Sequence, residues 1–205
     1  NFGDIYAGYV AKKMGLPINK LIIATNKNDI LKRVVETGCY KPSEVKHTIS
    51  PSMDIQVASN FERLIFDIVA CDSKKTLKLM NDLNESGEFK LAKEELQKIR
   101  DSFLSESLSE EMTKSVISEM YKNYGALVDP HTAVGIGVTK KISPEENTVI
   151  LSTAHPSKFP DVVMEATSIK PELPENLKSI LVKKEKYDRL PKDFEKVKKY
   201  IRERK

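Results

Sequence analysis

Tryptophan is absent from the 205 residues, cysteine occurs twice and histidine three times. Cys39 and Cys71 are too few for a disulfide framework, and with the scattered histidines they do not form a zinc-ligand spacing. That usage reads as a cytoplasmic protein in a reducing compartment. Long apolar runs are missing as well. None approaches the roughly 18 residues needed to span a bilayer, so no membrane partner is expected. Nor does charge of one sign prevail: 34 Lys and Arg face 30 Asp and Glu, a surplus of +4 gathered mostly toward the C-terminal end. The basic residues alternate with acids and no aromatic stripe accompanies them, which sets nucleic acid aside too. At 40% hydrophobic, the remainder suffices for one large or two small soluble domains.

What is present begins at once. Asn1-Phe2-Gly3-Asp4 runs straight into an amphipathic pattern of Ile5, Tyr6, Tyr9, Val10 and Met14, with Asp4 at the expected N-cap. A glycine turn entering a helix offers backbone N–H groups and the positive end of the helix dipole to an anion, most often a phosphate. No initiator Met or lead-in precedes the turn, so a further piece of the natural protein is expected upstream of Asn1. After Gly15 and Pro17, Lys20 to Thr25 is a short continuous apolar run, the mark of a strand buried on both faces. Helix followed by buried strand is half of a parallel α/β unit, whose ligands collect at the carboxyl ends of the strands. Asn26, Asn28 and Asp29 are thereby placed to face a site.

Asn28 or Asp29 caps a helix that Gly38 ends, and 41–59 reads as an irregular loop containing Ser50-Pro51-Ser52-Met53-Asp54-Ile55. Ser59 or Asn60 then caps a helix carrying Leu64, Ile65, Ile68 and Val69. Residues 72–124 are charged and read as purely helical, an insertion on the main sheet. Asp129 and Pro130 start a helix holding Gly135 and Gly137. Each such glycine costs about 1 kcal/mol relative to Ala, so this helix is expected to pack very close to a sheet or ligand. Asn147 to Thr153 reads as a second buried strand, with Ser152, Thr153 and His155 at its carboxyl end. A final helix from about Asp193 bears Phe194, Val197 and Ile201. The expected division is an α/β domain from 1–71 and 125–170, the insertion 72–124, and a helical tail 171–205.

Taken in order, Asn1 to Asp4, Ser50 to Ile55, Ser59-Asn60-Phe61-Glu62-Arg63, Asp129-Pro130-His131-Thr132-Ala133-Val134-Gly135 and Ser152 to His155 closely resemble threonine synthase, a pyridoxal phosphate (PLP) enzyme family. The likeness runs through most of the chain. It implies an α/β fold, part of the tryptophan-synthase-like fold type II, with a sheet flanked by helices, a mostly helical insertion and a C-terminal helix. It also implies PLP as cofactor and O-phosphohomoserine as substrate, converted with water to L-threonine and phosphate by β,γ-elimination and replacement, the last step of threonine biosynthesis.

Carried over residue by residue, Asn1, Phe2, Gly3 and Asp4 match the family's Gly-Asn-Phe-Gly-Asp turn, which holds the cofactor phosphate. Thr153 matches the hydroxyl that meets the pyridine nitrogen; as a residue it also reads as an ordinary strand-end Thr bonding the backbone. Asn26, Asn28, Asp29, Arg63, His131 and His155 are substrate candidates, with Ser52, Asp54 and Asn60 beside them. Arg63 can hold the substrate phosphate bidentately or pair with Asp67 one helical turn on. His131 and His155 can orient substrate or shuttle a proton, or simply bond the backbone. The family's Schiff-base lysine has no matching motif in these 205 residues. No catalytic residue is therefore assigned, the missing N-terminal half of the same chain is the expected partner, and the chain alone is expected to be inactive. Two alternatives stay open: another fold type II lyase or dehydratase, and a non-catalytic paralogue that binds a phosphorylated metabolite.

Overall fold

A computed structural model describes residues 2–142 and 147–204. The chain divides into two compact units, Asn1–Pro171 and Glu172–Lys205. In the first, helix α1 (Gly3–Lys13) leads through a turn to strand β1 (Leu21–Thr25), and α2 (Ile30–Thr37) ends at Gly38 in the left-handed conformation. Asp4 does not cap α1. The helix starts two residues earlier, with Phe2 at the N-cap in the left-handed region (φ 57°). That conformation costs a non-glycine residue about 1–2 kcal/mol. Burial of the Phe2 ring offsets it: the ring meets Phe61 edge-on at 5.1 Å and Phe103 at 5.9 Å.

Beyond α2 come β2 (Cys39–Tyr40), an irregular loop broken by a short 3-10 turn at Pro51–Met53, and α3 (Phe61–Ile68). The following segment, α4 (Ser73–Ser86), β3 (Phe89–Lys90), α5 (Lys93–Ser102), β4 (Phe103–Ser107) and α6 (Glu110–Tyr124), is not purely helical as the sequence suggested. β4 pairs in parallel with β1, Leu21 opposite Phe103 through Thr25 opposite Ser107, while β2 and β3 form a small antiparallel pair. Residues 72–124 thus supply β1 with its parallel partner. The β4 sequence, Phe-Leu-Ser-Glu-Ser, carries only two apolar residues and follows a helix without an intervening Gly or Pro, so neither alternation nor punctuation marks it.

The alternation of β1 divides the core. Leu21 and Ile23 join a cluster with α1, α2, α3 and α5, including Val34, Phe61, Leu64 and Ile99. Ile22 and Ala24 point to a second cluster with Val116, Ile117, Val134 and Val138 from α6 and from α7 (Pro130–Ile142). Helices therefore cover both faces, as a parallel sheet requires. The expected tight packing of α7 is present. A Cβ on Gly137 would lie 2.4 Å from Leu108 Cδ2 and 3.2 Å from Val116 Cγ2.

The second strand expected over 147–153 does not form. These residues belong to no sheet among the described residues, and Val149 and Leu151 are 90% and 57% exposed. A parallel strand is held by neighbours on its hydrogen-bonding edges, and these residues pair with neither β1 nor β4. Ile150 alone is half-buried, against Gly135. Helix α8 (Pro160–Thr167) completes this unit. The second unit holds a 3-10 segment at Glu175–Val182 and helix α9 (Phe194–Glu203), capped by Asp193, with Phe194 and Ile201 exposed. Among the described residues, no helix is long and apolar enough to cross a membrane.

Candidate functional site

In a parallel α/β unit the helix runs opposite to the strand it precedes, so the start of α1 and the carboxyl end of β1 share one edge of the sheet. At that edge α1 opens with Phe2 and Gly3, where backbone N–H groups of the first turn lack intrahelical partners. A Cβ on Gly3 would lie 3.2 Å from the Asn60 amide nitrogen, so the α3 N-cap closes over the turn. A side chain at this position would need the Asn60 amide to give way by a few tenths of an ångström. Asp4 stands in the first turn, and Asn1 lies outside the described residues.

The loop 41–59 is fastened to the carboxyl end of β1. The buried Asn26 amide donates to Thr48 Oγ1 (2.8 Å), Ser50 Oγ (2.9 Å) and Asp54 Oδ1 (2.8 Å), while its oxygen accepts the Asn28 N–H (2.8 Å). Asn28 reaches Lys46 in both directions, donating to its carbonyl (2.8 Å) and accepting its N–H (2.9 Å). Asp54 takes the Thr48 N–H and hydroxyl at 2.8 and 2.6 Å. From the other side, Glu110 accepts the Ile49 N–H at 3.0 Å and pairs with Lys27 at 2.7 Å. The Lys27 bond holds the Glu110 carboxyl below the usual range against partial burial. Asn26 and Asn28, named as substrate candidates, spend their hydrogen-bonding capacity on this loop.

Asp129 and His131 form a second buried group at the start of α7. Burial works against the Asp129 charge, yet bonds from the His131 ring (2.9 Å), the Thr132 hydroxyl and the His131 N–H (2.9 Å) outweigh it and hold the carboxyl below its ordinary value. On its other side the His131 ring accepts the Ser52 N–H through Nε2 at 3.1 Å, and Phe159 lies 4.8 Å from it. A backbone N–H can only donate, so Nε2 carries a lone pair and Nδ1 carries the proton toward Asp129.

Of the other sequence candidates, Asp29 joins the loop network through Arg33, whereas Arg63, His155 and Thr153 are not drawn into either group. Asp29 pairs with Arg33 at 2.9 Å, and that guanidinium continues to the Lys41 carbonyl (2.8 Å) and Gln56 (3.0 Å). Arg63 is exposed on α3, and Asp67 accepts the Tyr6 hydroxyl (3.1 Å) and faces Lys13 (3.9 Å). His155 is exposed and bonds Ser157, capping a 3-10 turn at Pro156–Lys158. Thr153 is exposed on the unpaired-strand segment. Sequence reasoning missed Thr48, Gln56, Arg33 and Glu110. Of these only Arg33 left a local signal, its spacing four residues after Asp29 on one helix face. Among the described residues no cluster of His, Cys, Asp and Glu is arranged to hold a metal.

A sheet covered by helices on both faces, with a glycine helix start and a polar network at its carboxyl edge, defines an α/β protein. Comparison narrows the class. The family model described as threonine synthase, C-terminal, matches residues 132–201. Threonine synthase from Pseudomonas aeruginosa is 40% identical over 204 residues, which is 98% of this chain and 44% of that protein. The Saccharomyces cerevisiae enzyme is 41% identical over 232 residues, 99% of this chain and 45% of its own length. The crystal structure of PLP-bound threonine synthase from Brucella melitensis superposes with a TM-score of 0.87 at 43% identity, covering 99% of this chain and 44% of that one. The yeast structure gives 0.84 at 38% identity, over 98% and 45%. The chain is similar to threonine synthases along nearly all of its own length, and it spans less than half the length of the relatives it matches.

Proposed function

We propose that this chain forms the cofactor-holding part of a threonine synthase that, when complete, converts O-phosphohomoserine and water to L-threonine and inorganic phosphate. The observation that carries the reading is the alignment of 98% of the chain with a threonine synthase at 40% identity. We assign it to the tryptophan-synthase-like fold type II and to the cytoplasm.

PLP suits the donor set at the start of α1. The left-handed Phe2 and the glycine after it turn backbone N–H groups outward at a helix N-terminus, and the Asn60 side chain would meet any Cβ added at Gly3. Such a cradle binds a phosphate dianion without a side-chain cation. In this reading Asn1, Phe2, Gly3 and Asp4 hold the cofactor phosphate and the Thr153 hydroxyl meets the pyridine nitrogen as a neutral partner. When bound, the cofactor supplies an electron sink for carbanionic chemistry. The chain's own contribution is to bind and orient: α1 fixes the phosphate end, Thr153 the ring, and the fastened loop 41–59 shapes the substrate side. Proton transfer falls to a lysine outside these motifs, so the 205 residues alone are inactive.

The test is to express the complete protein with PLP and measure threonine and phosphate released from O-phosphohomoserine. Equal amounts support the synthase. Phosphate without threonine would make it an eliminating lyase, and neither product would favour a paralogue that only binds a phosphorylated metabolite. The 205-residue chain assayed in parallel is expected to form no threonine.

A further inference from the structure

The 3-10 turn at Pro51–Met53 closes through the Met53 N–H to Ser50 and the Asp54 N–H to Pro51. Its first position is a proline without an N–H, which leaves the Ser52 N–H as the turn's orphan donor. That donor meets His131 Nε2, 79 residues away in sequence. Asn26 and Asn28 anchor the loop at the end of β1 and Glu110 anchors it from α6, while the Ser52 N–H is held by His131. The opposite ring nitrogen is bound to Asp129, which is 1% exposed and also takes the Thr132 hydroxyl. With both nitrogens engaged, the ring has no atom left for substrate.

We propose that His131 is a positioning residue: its imidazole, oriented by Asp129, braces the loop 48–54 against the start of α7 so that the loop meets the phosphorylated substrate in one fixed position. This rests on the function proposed above, in that the loop borders the substrate. A loop that is free to move weakens binding of ground state and transition state alike, which appears in KM rather than kcat.

Two substitutions separate the brace from simple packing. In His131→Gln the side-chain oxygen falls near the position of Nε2 and still accepts the Ser52 N–H. In His131→Asn the amide reaches Asp129 but stops short of Ser52. Both are polar and smaller than the ring, so a role limited to packing against Phe159 would move both in the same way. In the complete protein, amide hydrogen exchange over residues 48–54 is expected to quicken about tenfold in His131→Asn, the size of one lost hydrogen bond, and to stay within about twofold of wild type in His131→Gln. KM for O-phosphohomoserine should follow the same split, rising about tenfold in the Asn variant with kcat little changed. Equal exchange in the two variants, whether fast or slow, overturns the proposal. So does an exchange split that leaves KM unmoved. A wild-type protein that makes no threonine yet keeps the exchange split would count against the proposed function and still support the brace.

Discussion

Residues 41–59 and residues 147–155 are both largely without helix or strand, yet they differ in almost every other respect. The first keeps Ser50 and Gln56 buried and is tied down by Asn26, Asn28, Arg33, Glu110 and His131. The second leaves Val149 and Leu151 exposed and holds the second core only through Ile150. The contrast is not one of hydrophobicity, since the looser stretch is the more apolar. A segment without a ladder stays ordered when side chains take over the bonding of its backbone. Asn and Asp do this with short, rigid amides and carboxylates, and no buried side-chain polar atom among the described residues lacks a partner. An apolar strand sequence has no such resource and depends on a neighbouring strand.

Removing the amide at the centre of the ordered loop should break the contrast most severely. Asn26→Leu leaves Asp54, Thr48 and the Asn28 N–H short of partners in a buried place, and we expect a loss of about 3 kcal/mol or more in urea unfolding. Residues 41–59 should then be cut by protease as readily as 147–155; a loss below about 1 kcal/mol would show that the network is not what orders the loop.

A pair of glycines on α7 sharpens the comparison. Gly137 faces Leu108 and Val116, both buried, whereas Gly135 faces Ile150 at 3.2 Å on the loosely held stretch. Gly137→Ala should cost about 1–2 kcal/mol despite the gain in helix propensity. Gly135→Ala should be neutral or slightly stabilising, because Ile150 can give way. If both cost the same, 147–155 is held as firmly as the core.

Acid tests the Asp129 anchor. Its carboxyl is held below the ordinary value, so the folded state binds fewer protons than the unfolded state, and the stabilisation is complete above the unfolded value of about 4. Stability should therefore fall as pH drops from there through the folded value, and Asp129→Asn should flatten that slope in urea midpoints measured between about pH 2 and 6. An unchanged slope would mean that other carboxylates carry the acid response.

The smallest effect is expected at Val149. In the 205-residue chain, Val149→Lys should change stability by less than about 0.5 kcal/mol, as for an open surface position. In the complete protein, where the proposed fold would supply a strand neighbour, the same change should cost about 2 kcal/mol. Equal effects in both would remove the reason for reading 147–153 as a strand in waiting.

Much of the architecture is legible from local signals. β1 shows as a continuous apolar run, α2 ends at the glycine that names its end, α7 begins at Asp129-Pro130, and α9 starts at Asp193. β4 is not legible, because its residues are polar enough for a helix surface and become a strand only beside β1. The site divides in the same way. Phe2, Gly3 and Asp4 stand at a helix start as expected, although the cap is Phe2, while the bonds of Asn26 and Asn28 run to the loop 41–59. His131 could be named but not given a role, since its partner Ser52 is distant in sequence.

By itself the sequence determined the periodicities, the helix ends and the order of motifs that resembles threonine synthase, since each depends on residues within one or two turns of one another. Tertiary structure alone decided which strand pairs with β1, which polar residues are spent on holding a loop, and where an apolar stretch stays uncovered. Those outcomes rest on hydrogen bonds and packing between residues tens of positions apart, and a local pattern carries no information about the partner that satisfies it.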